Sequence, residues 1–219
     1  MATITLSLID DIPTINGKIV NSFRLHLDGV LKRSASAIRR RVGEVCDSII
    51  RREGAYVSLM GGELLGELGV PGVASRLDAI LNTIKESCEV ESTPLMQAGN
   101  IITGGLVVKM VRSEFLDILA LPEATYTTAQ GTDIPWLNWL LLQGDKIIVM
   151  GFDIKSGLRG QERHKSRTKL AIMIPGRGWK VPSEFSGVIE DNFITRAFNA
   201  SEVEALLFEI IKEEITSRL

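Results

Sequence analysis

The chain has 219 residues, 45 % of them hydrophobic and 24 % charged, with a formal net charge of −2. That length and apolar content suit one domain with a sizeable core and exclude wholesale disorder. The near-neutral balance excludes a protein whose whole surface binds nucleic acid.

The first residues, MATITLSLIDDIP, lack the basic start of a signal peptide and place Asp10 and Asp11 where a cleavage region would lie. No apolar run approaches the ~20 residues of a membrane span, so a cytoplasmic protein is expected. Residues 2–9 alternate Thr or Ser with apolar residues, a short strand signal. Thr14 then offers a helix N-cap. From Ile15 to about Arg52 a face recurs through Ile19, Phe23, Leu27, Val30, Ser34, Ile38, Val42, Val45 and Ile49 at helical spacing. This helix, residues 14–53, is about three times the usual length. Its stripe needs cover beyond the core of a domain this size, so it is expected to project. Gly54 is expected to end it.

Tyr56–Gly69 is a mixed stretch containing Gly61-Gly62 and reads as a short helix between two turns; Val70-Pro71-Gly72 is a turn signal, and Val73–Ser87 reads as a second helix. Ile101–Val111 is β-branched around Gly104-Gly105, a strand or bent hairpin. A helical turn follows at Ser113–Leu121, then a Thr-rich loop, then a helix at Trp136–Gln143 after Pro135. Lys146–Ile154 is the clearest strand. Leu170–Ile174 and Trp179–Val181, separated by Pro175-Gly176-Arg177-Gly178, read as a hairpin. Phe185–Phe198 is ambiguous. Ser201 with Glu204 is a capping-box signal for the last helix, whose apolar face is Val203, Leu206, Leu207, Ile210, Ile211 and Ile215. The whole is a single α+β domain: a long N-terminal helix, a small, mostly antiparallel sheet flanked by short helices, and a C-terminal helix.

Chemistry-bearing patterns are sparse. His26 and His164 have no second ligand at fixed spacing. Cys46 and Cys88 form no CxxC pair and read as two free buried thiols in a reducing compartment, with one disulfide as the alternative. Gly157-Leu158-Arg159-Gly160 lacks the frame and ending of a phosphate loop, and Ser186-Gly187 is not a nucleophile elbow. The acidic pairs Asp10-Asp11, Glu190-Asp191 and Glu213-Glu214 read as solvated. No catalytic residue, cofactor or metal is expected.

Charge is distributed unevenly. Lys155, Arg159, Arg163, Lys165, Arg167, Lys169, Arg177 and Lys180 crowd a stretch whose one acid is Glu162. The chain then turns acidic through Glu184, Glu190, Asp191, Glu202, Glu204, Glu209, Glu213 and Glu214. The two blocks can pair within a subunit or between neighbours in a ring, and the loop can touch phosphates. Its candidate contact residues are Arg159, Arg163, His164, Lys165, Arg167 and Lys169. A second basic cluster, Lys32, Arg33, Arg39, Arg40, Arg41, Arg51 and Arg52, lies on the long helix without the aromatic residues that base stacking needs. Trp136 and Trp139 share one helix face and read as core or as interface anchors.

The segments Ile134-Pro135-Trp136-Leu137-Asn138-Trp139 to Gly144, Ser166-Arg167-Thr168, Trp179-Lys180-Val181-Pro182-Ser183-Glu184-Phe185-Ser186-Gly187 and Asp191-Asn192-Phe193-Ile194-Thr195-Arg196-Ala197 carry a family hint. With the long first helix, they resemble the neck and tail-completion proteins of tailed bacteriophages. The resemblance implies a structural virion protein of the head–tail junction, assembled in the host cytoplasm, with no enzymatic role. It implies an oligomeric ring, commonly sixfold, between the portal or adaptor and the tail tube or terminator, with passive contact to packaged DNA and none with membrane. The alternative is a DNA-binding accessory factor, or a metal-dependent nucleic-acid-processing enzyme, using the basic loop 155–169 with Asp145 and Asp153.

Overall fold

A computed structural model describes residues 10–109, 115–156 and 171–219. The fold is α+β, with a long N-terminal helix, antiparallel strands and C-terminal helices. The chain divides into two compact units. One contains Met1–Arg41, Glu89–Lys109 and Phe208–Leu219; the other contains Val42–Cys88 and Met110–Leu207. The expected strand at residues 2–9 and the start of the expected helical turn at Ser113 lie outside the described residues.

The first unit holds most of α1 (Ile12–Ile50), a helix of 39 residues. At about 1.5 Å per residue it is roughly 58 Å long. The unit also holds a two-stranded ribbon of β1 (Glu89–Ala98) and β2 (Ile101–Lys109). Its register runs from Glu89↔Lys109 to Ala98↔Ile101, around a Gly99-Asn100 turn. Residues 101–109 were legible as a strand; the partner β1 was not, because Glu89, Glu91 and Pro94 break its alternation. Arg24 Nη1 donates to the Leu95 carbonyl at 3.0 Å and ties the ribbon to α1. The end of α8 (Ser201–Thr216) meets α1 where Ser34 Oγ donates to the Glu214 carbonyl and Arg41 pairs with Glu213 and Glu214. The buried apolar residues described here are Val30, Leu31, Ile38, Leu95 and Ile210.

The second unit carries the larger core. α1 stops at Ile50, short of the expected Arg52, and the chain turns through Arg51–Glu53. Gly54, expected to end that helix, instead begins α2 (Gly54–Gly61), which is followed by α3 (Glu63–Leu68). Arg51 fastens the turn: its guanidinium donates to Asp47, Asp78 and the Tyr56 hydroxyl and lies 5.5 Å from the Tyr56 ring centre. α4 (Val73–Ser87) has the expected bounds and buries the expected face, Val73, Leu77, Ile80, Leu81 and Ile84. Each such side chain contributes about 1.5–3 kcal/mol by leaving water. Cys46 and Cys88 are both free and fully buried, with Sγ atoms 3.7 Å apart.

α5 (Leu116–Leu119) precedes a 3-10 turn at Pro122–Ala124. The Thr-rich loop contains a minimal ribbon, β3 (Tyr126–Thr127) with β4 (Asp133–Ile134). α6 (Trp136–Leu142) follows Pro135, which caps the helix instead of forming its first turn. β5 (Val149–Ser156) pairs with β6 (Ala171–Trp179). This pairing corrects the expected hairpin: Pro175-Gly176-Arg177-Gly178 is not a turn but the middle of one continuous strand. Two features make that possible. A two-stranded ribbon leaves one edge unpaired, so proline loses no ladder bond there. The register also shifts between Met150 and Phe152, where Gly151 sits at φ +78° and absorbs the irregularity that the Pro-Gly strand imposes.

The ambiguous segment resolves into a Val188↔Asp191 bridge and α7 (Phe193–Asn199). Its start is a capping box: the Asn192 carboxamide accepts from the Ile194 and Thr195 N–H groups, and Thr195 Oγ1 accepts from Asn192 N. The sequence signal at Ser201 and Glu204 was placed one position off. Ser201 is already the first helical residue of α8, because Ala200 closes α7 directly before it.

Candidate interaction surfaces

Arg159, Arg163, His164, Lys165, Arg167 and Lys169 lie outside the described residues. Ser156 and Ala171, the described residues on either side of that stretch, pair at the end of the β5–β6 register. The ribbon itself is apolar and open: Met150 is 82 % exposed, and Phe152 and Met173 are also exposed. Lys155 and Arg177, on the two strands, face solvent.

Trp136 and Trp139 part company. Trp136 is fully buried beside Leu137, Leu140 and Leu141, and its indole N–H donates to the Glu123 carbonyl at 2.8 Å. Trp139 is half-buried. A tryptophan with no exposed surface and a satisfied N–H is a core residue, so Trp136 is not available as an anchor. Trp179 is also buried, and its Nε1–H donates to Glu67 Oε2 at 2.8 Å. Burial pushes the Glu67 carboxyl up to about 7; the indole N–H works against that shift, and Glu63 beside it adds to it. Nothing in the local sequence marked Glu67, since a glutamate on a short helix reads as solvated.

Asp153 is engaged by the backbone. Its Oδ1 accepts from Gly178 N at 3.2 Å, and its carboxylate lies against Gly176, where any Cβ would collide with it. Asp145 is exposed in the turn after α6. Among the described residues no group of three His, Cys, Asp or Glu is placed to hold a metal ion. His26 is exposed on α1.

The acidic pairs are committed to local structure. Asp10 pairs with Lys18. Hydrogen bonds from the Thr14 side chain and from Thr14 N, which donates to Asp11 Oδ1, hold the Asp11 carboxyl below its ordinary range. Glu213 and Glu214 meet Arg41 at 2.8 and 3.2 Å. Arg218, then Arg41, lower the Glu214 carboxyl, and Glu213 in particular raises the Arg41 guanidinium. The acidic end of α8 therefore pairs inside its own subunit, with the basic cluster of α1. Arg76 and Arg196, which stood out in no motif, gather carbonyls. Arg76 Nη1 binds those of Pro122, Glu123 and Thr125, while Arg196 binds the Asp191 carboxylate and the carbonyls of Glu184 and Ser186. Both arginines fix loops, and neither is free for a ligand.

An exposed apolar line of the first unit runs along α1. Ile12, Ile19 and Phe23 are 68 %, 61 % and 54 % exposed, whereas Val30 is fully buried. At 3.6 residues per turn all four fall within about 40° of one another. The stripe read from the sequence is thus one line, covered from Val30 onward and bare before it.

No protein-family model, curated protein or solved structure matches this chain. Among the described residues no helix is long and apolar enough to cross a membrane.

Proposed function

We propose that this chain is a structural virion subunit of the head–tail junction of a tailed bacteriophage. Several copies would form a ring, commonly sixfold, between the portal or adaptor and the tail tube or terminator. The observation that carries the reading is the bare run of α1: a long helix whose apolar line is covered only from Val30 onward is suited to assembly. The segments that carry the family resemblance support it by what they do. Residues 136–142 fill a core, and residues 191–197 form a capping box and a carbonyl-gathering arginine. These roles serve a scaffold. Native mass spectrometry and negative-stain microscopy of the purified protein test the reading, alongside mass spectrometry of purified virions. Rings, together with the chain in the particle, are expected. A strict monomer that is also absent from virions would sink the reading.

A second reading rests on the sequence's basic stretch between Lys155 and Lys180, with Lys155 and Arg177 exposed on the β5–β6 ribbon. Crowded basic residues suit phosphate contact, either as passive contact with packaged DNA or as the work of a DNA-binding accessory factor. Fluorescence anisotropy on duplex DNA at stepped salt concentrations measures it. Plasmid incubation with magnesium, comparing Asp153→Ala with the parent chain, tests the nuclease form. No salt-dependent binding and no cleavage would remove both.

A further inference from the structure

We infer that the N-terminal part of α1, through Ile12, Ile19 and Phe23, is the surface on which a second copy of this chain docks, helix against helix and antiparallel. The inference rests on the self-assembly reading above and names one two-fold contact within it, which pairs copies and leaves the ring itself to a heterologous surface.

Three observations carry it. First, the bare stripe is collinear with a buried one. Val30 is fully buried, and the same line two turns earlier exposes Phe23 at 54 %. α8 meets α1 at Ser34 and Arg41, and the β1–β2 ribbon is tied at Arg24, on a different side of the helix from the stripe. Neither element lies over Ile19 and Phe23.

Second, the dimensions fit. From Ile12 to Leu27 the face is roughly 24 Å long. Two such faces pressed together would bury on the order of 1,000 Å² in total, the lower bound for a specific interface and far from an obligate one.

Third, the flanks are self-complementary. Asp11 and Arg33 are both exposed and border the same side of the stripe near its two ends. In an antiparallel pair centred near Asn21, Ile19 meets Phe23 of the other copy, and the Asp11 end of each helix approaches the Arg33 end of its neighbour. Parallel pairing about a two-fold along the helices would carry the two Asp11–Arg33 flanks to opposite sides of the contact, where neither meets its complement. A contact of this kind is isologous, using the same patch on both copies.

Sedimentation velocity on the full chain, from about 1 to 100 μM, tests it. The parent chain should associate with concentration. Ile19→Ser with Phe23→Ser should weaken association at least tenfold with the far-UV circular dichroism unchanged, because both side chains are exposed. Leu25→Ser, on the far side of the helix and 56 % exposed, should leave it unchanged. Arg33→Asp should weaken association, and adding Asp11→Lys should restore it. A parent chain that is monomeric throughout, or a double serine variant that associates like the parent, overturns the inference. In the second case the ring reading survives on another surface. A parent chain that stops at a two-fold dimer keeps this surface and removes the ring.

Discussion

In the unit built around α6, Trp136, Leu137, Leu140 and Leu141 lose all exposure to solvent. In the unit that holds residues 12–41 of α1, Ile12, Ile19 and Phe23 each keep more than half. In the second unit α4 and α6 bury their apolar faces among short helices, while the β5–β6 ribbon stays open. Among the described residues the first offers α1 only a two-stranded ribbon and the end of α8. A ribbon of two strands is marginal in water by itself and shields little; of its side chains, Leu95 alone among the described residues is buried. Apolar residues of the same kind thus serve folding in one region and are left for a partner in the other.

The sharpest break in that comparison would come from truncating one residue in each region. Trp136→Ala should destabilise the monomer by about 3–5 kcal/mol, through the cavity and the stranded Glu123 carbonyl. Phe23→Ala should cost no more than about 0.5 kcal/mol. Urea unfolding at a concentration too low for association measures both; similar losses at the two sites would abolish the distinction.

The second unit also holds a buried acid, and the described residues of the first unit include none. The raised Glu67 carboxyl binds its proton more tightly in the fold than in the unfolded chain. Its stabilising share is therefore complete below about pH 4.5 and lost as pH rises through about 7. Glu67→Gln should remove that slope, leaving the variant more stable than the parent by about 1–2 kcal/mol at pH 8 and nearly equal to it at pH 4. Thermal melts at the two pH values give the answer, and an unchanged slope would mean that Glu67 is solvated in the fold.

A smaller effect belongs to α7. Asn192→Ala removes the acceptor for two helix N–H groups and should cost about 1 kcal/mol. Asn192→Ser, which keeps an acceptor for those N–H groups without placing a charge against the Val188 and Ile189 carbonyls, should recover part of it. A loss confined to the second unit leaves association through α1 untouched; weakened association in the same variant would show that the two regions are coupled.

Much of the fold was legible where one residue pattern had one reading. α4 appeared with its bounds and its buried face because fifteen residues at 3.6 periodicity between two turn signals admit no competing structure. The long helix was legible for the same reason, as were the free thiols, the buried Trp136 helix and the α+β class. β1 was hidden by charge and proline. The Pro-Gly-Arg-Gly segment misled, because turn chemistry is local while strand continuity is decided by the partner. The acids showed the same limit: adjacent carboxylates look solvated in the sequence, yet Glu213 and Glu214 are held by Arg41, well over a hundred residues away.

Sequence by itself determined α1, α4 and α8, the uneven charge and the excess length of α1, since each follows from spacing along the chain. It also raised the possibility that the stripe on α1 needs cover. Only the tertiary structure decided where that cover ends, which acids are already paired, that Glu67 is buried, and that the Pro-Gly-Arg-Gly segment runs inside a strand. Periodicity states which face of a helix is apolar; only the neighbours brought by folding state how much of it water still reaches.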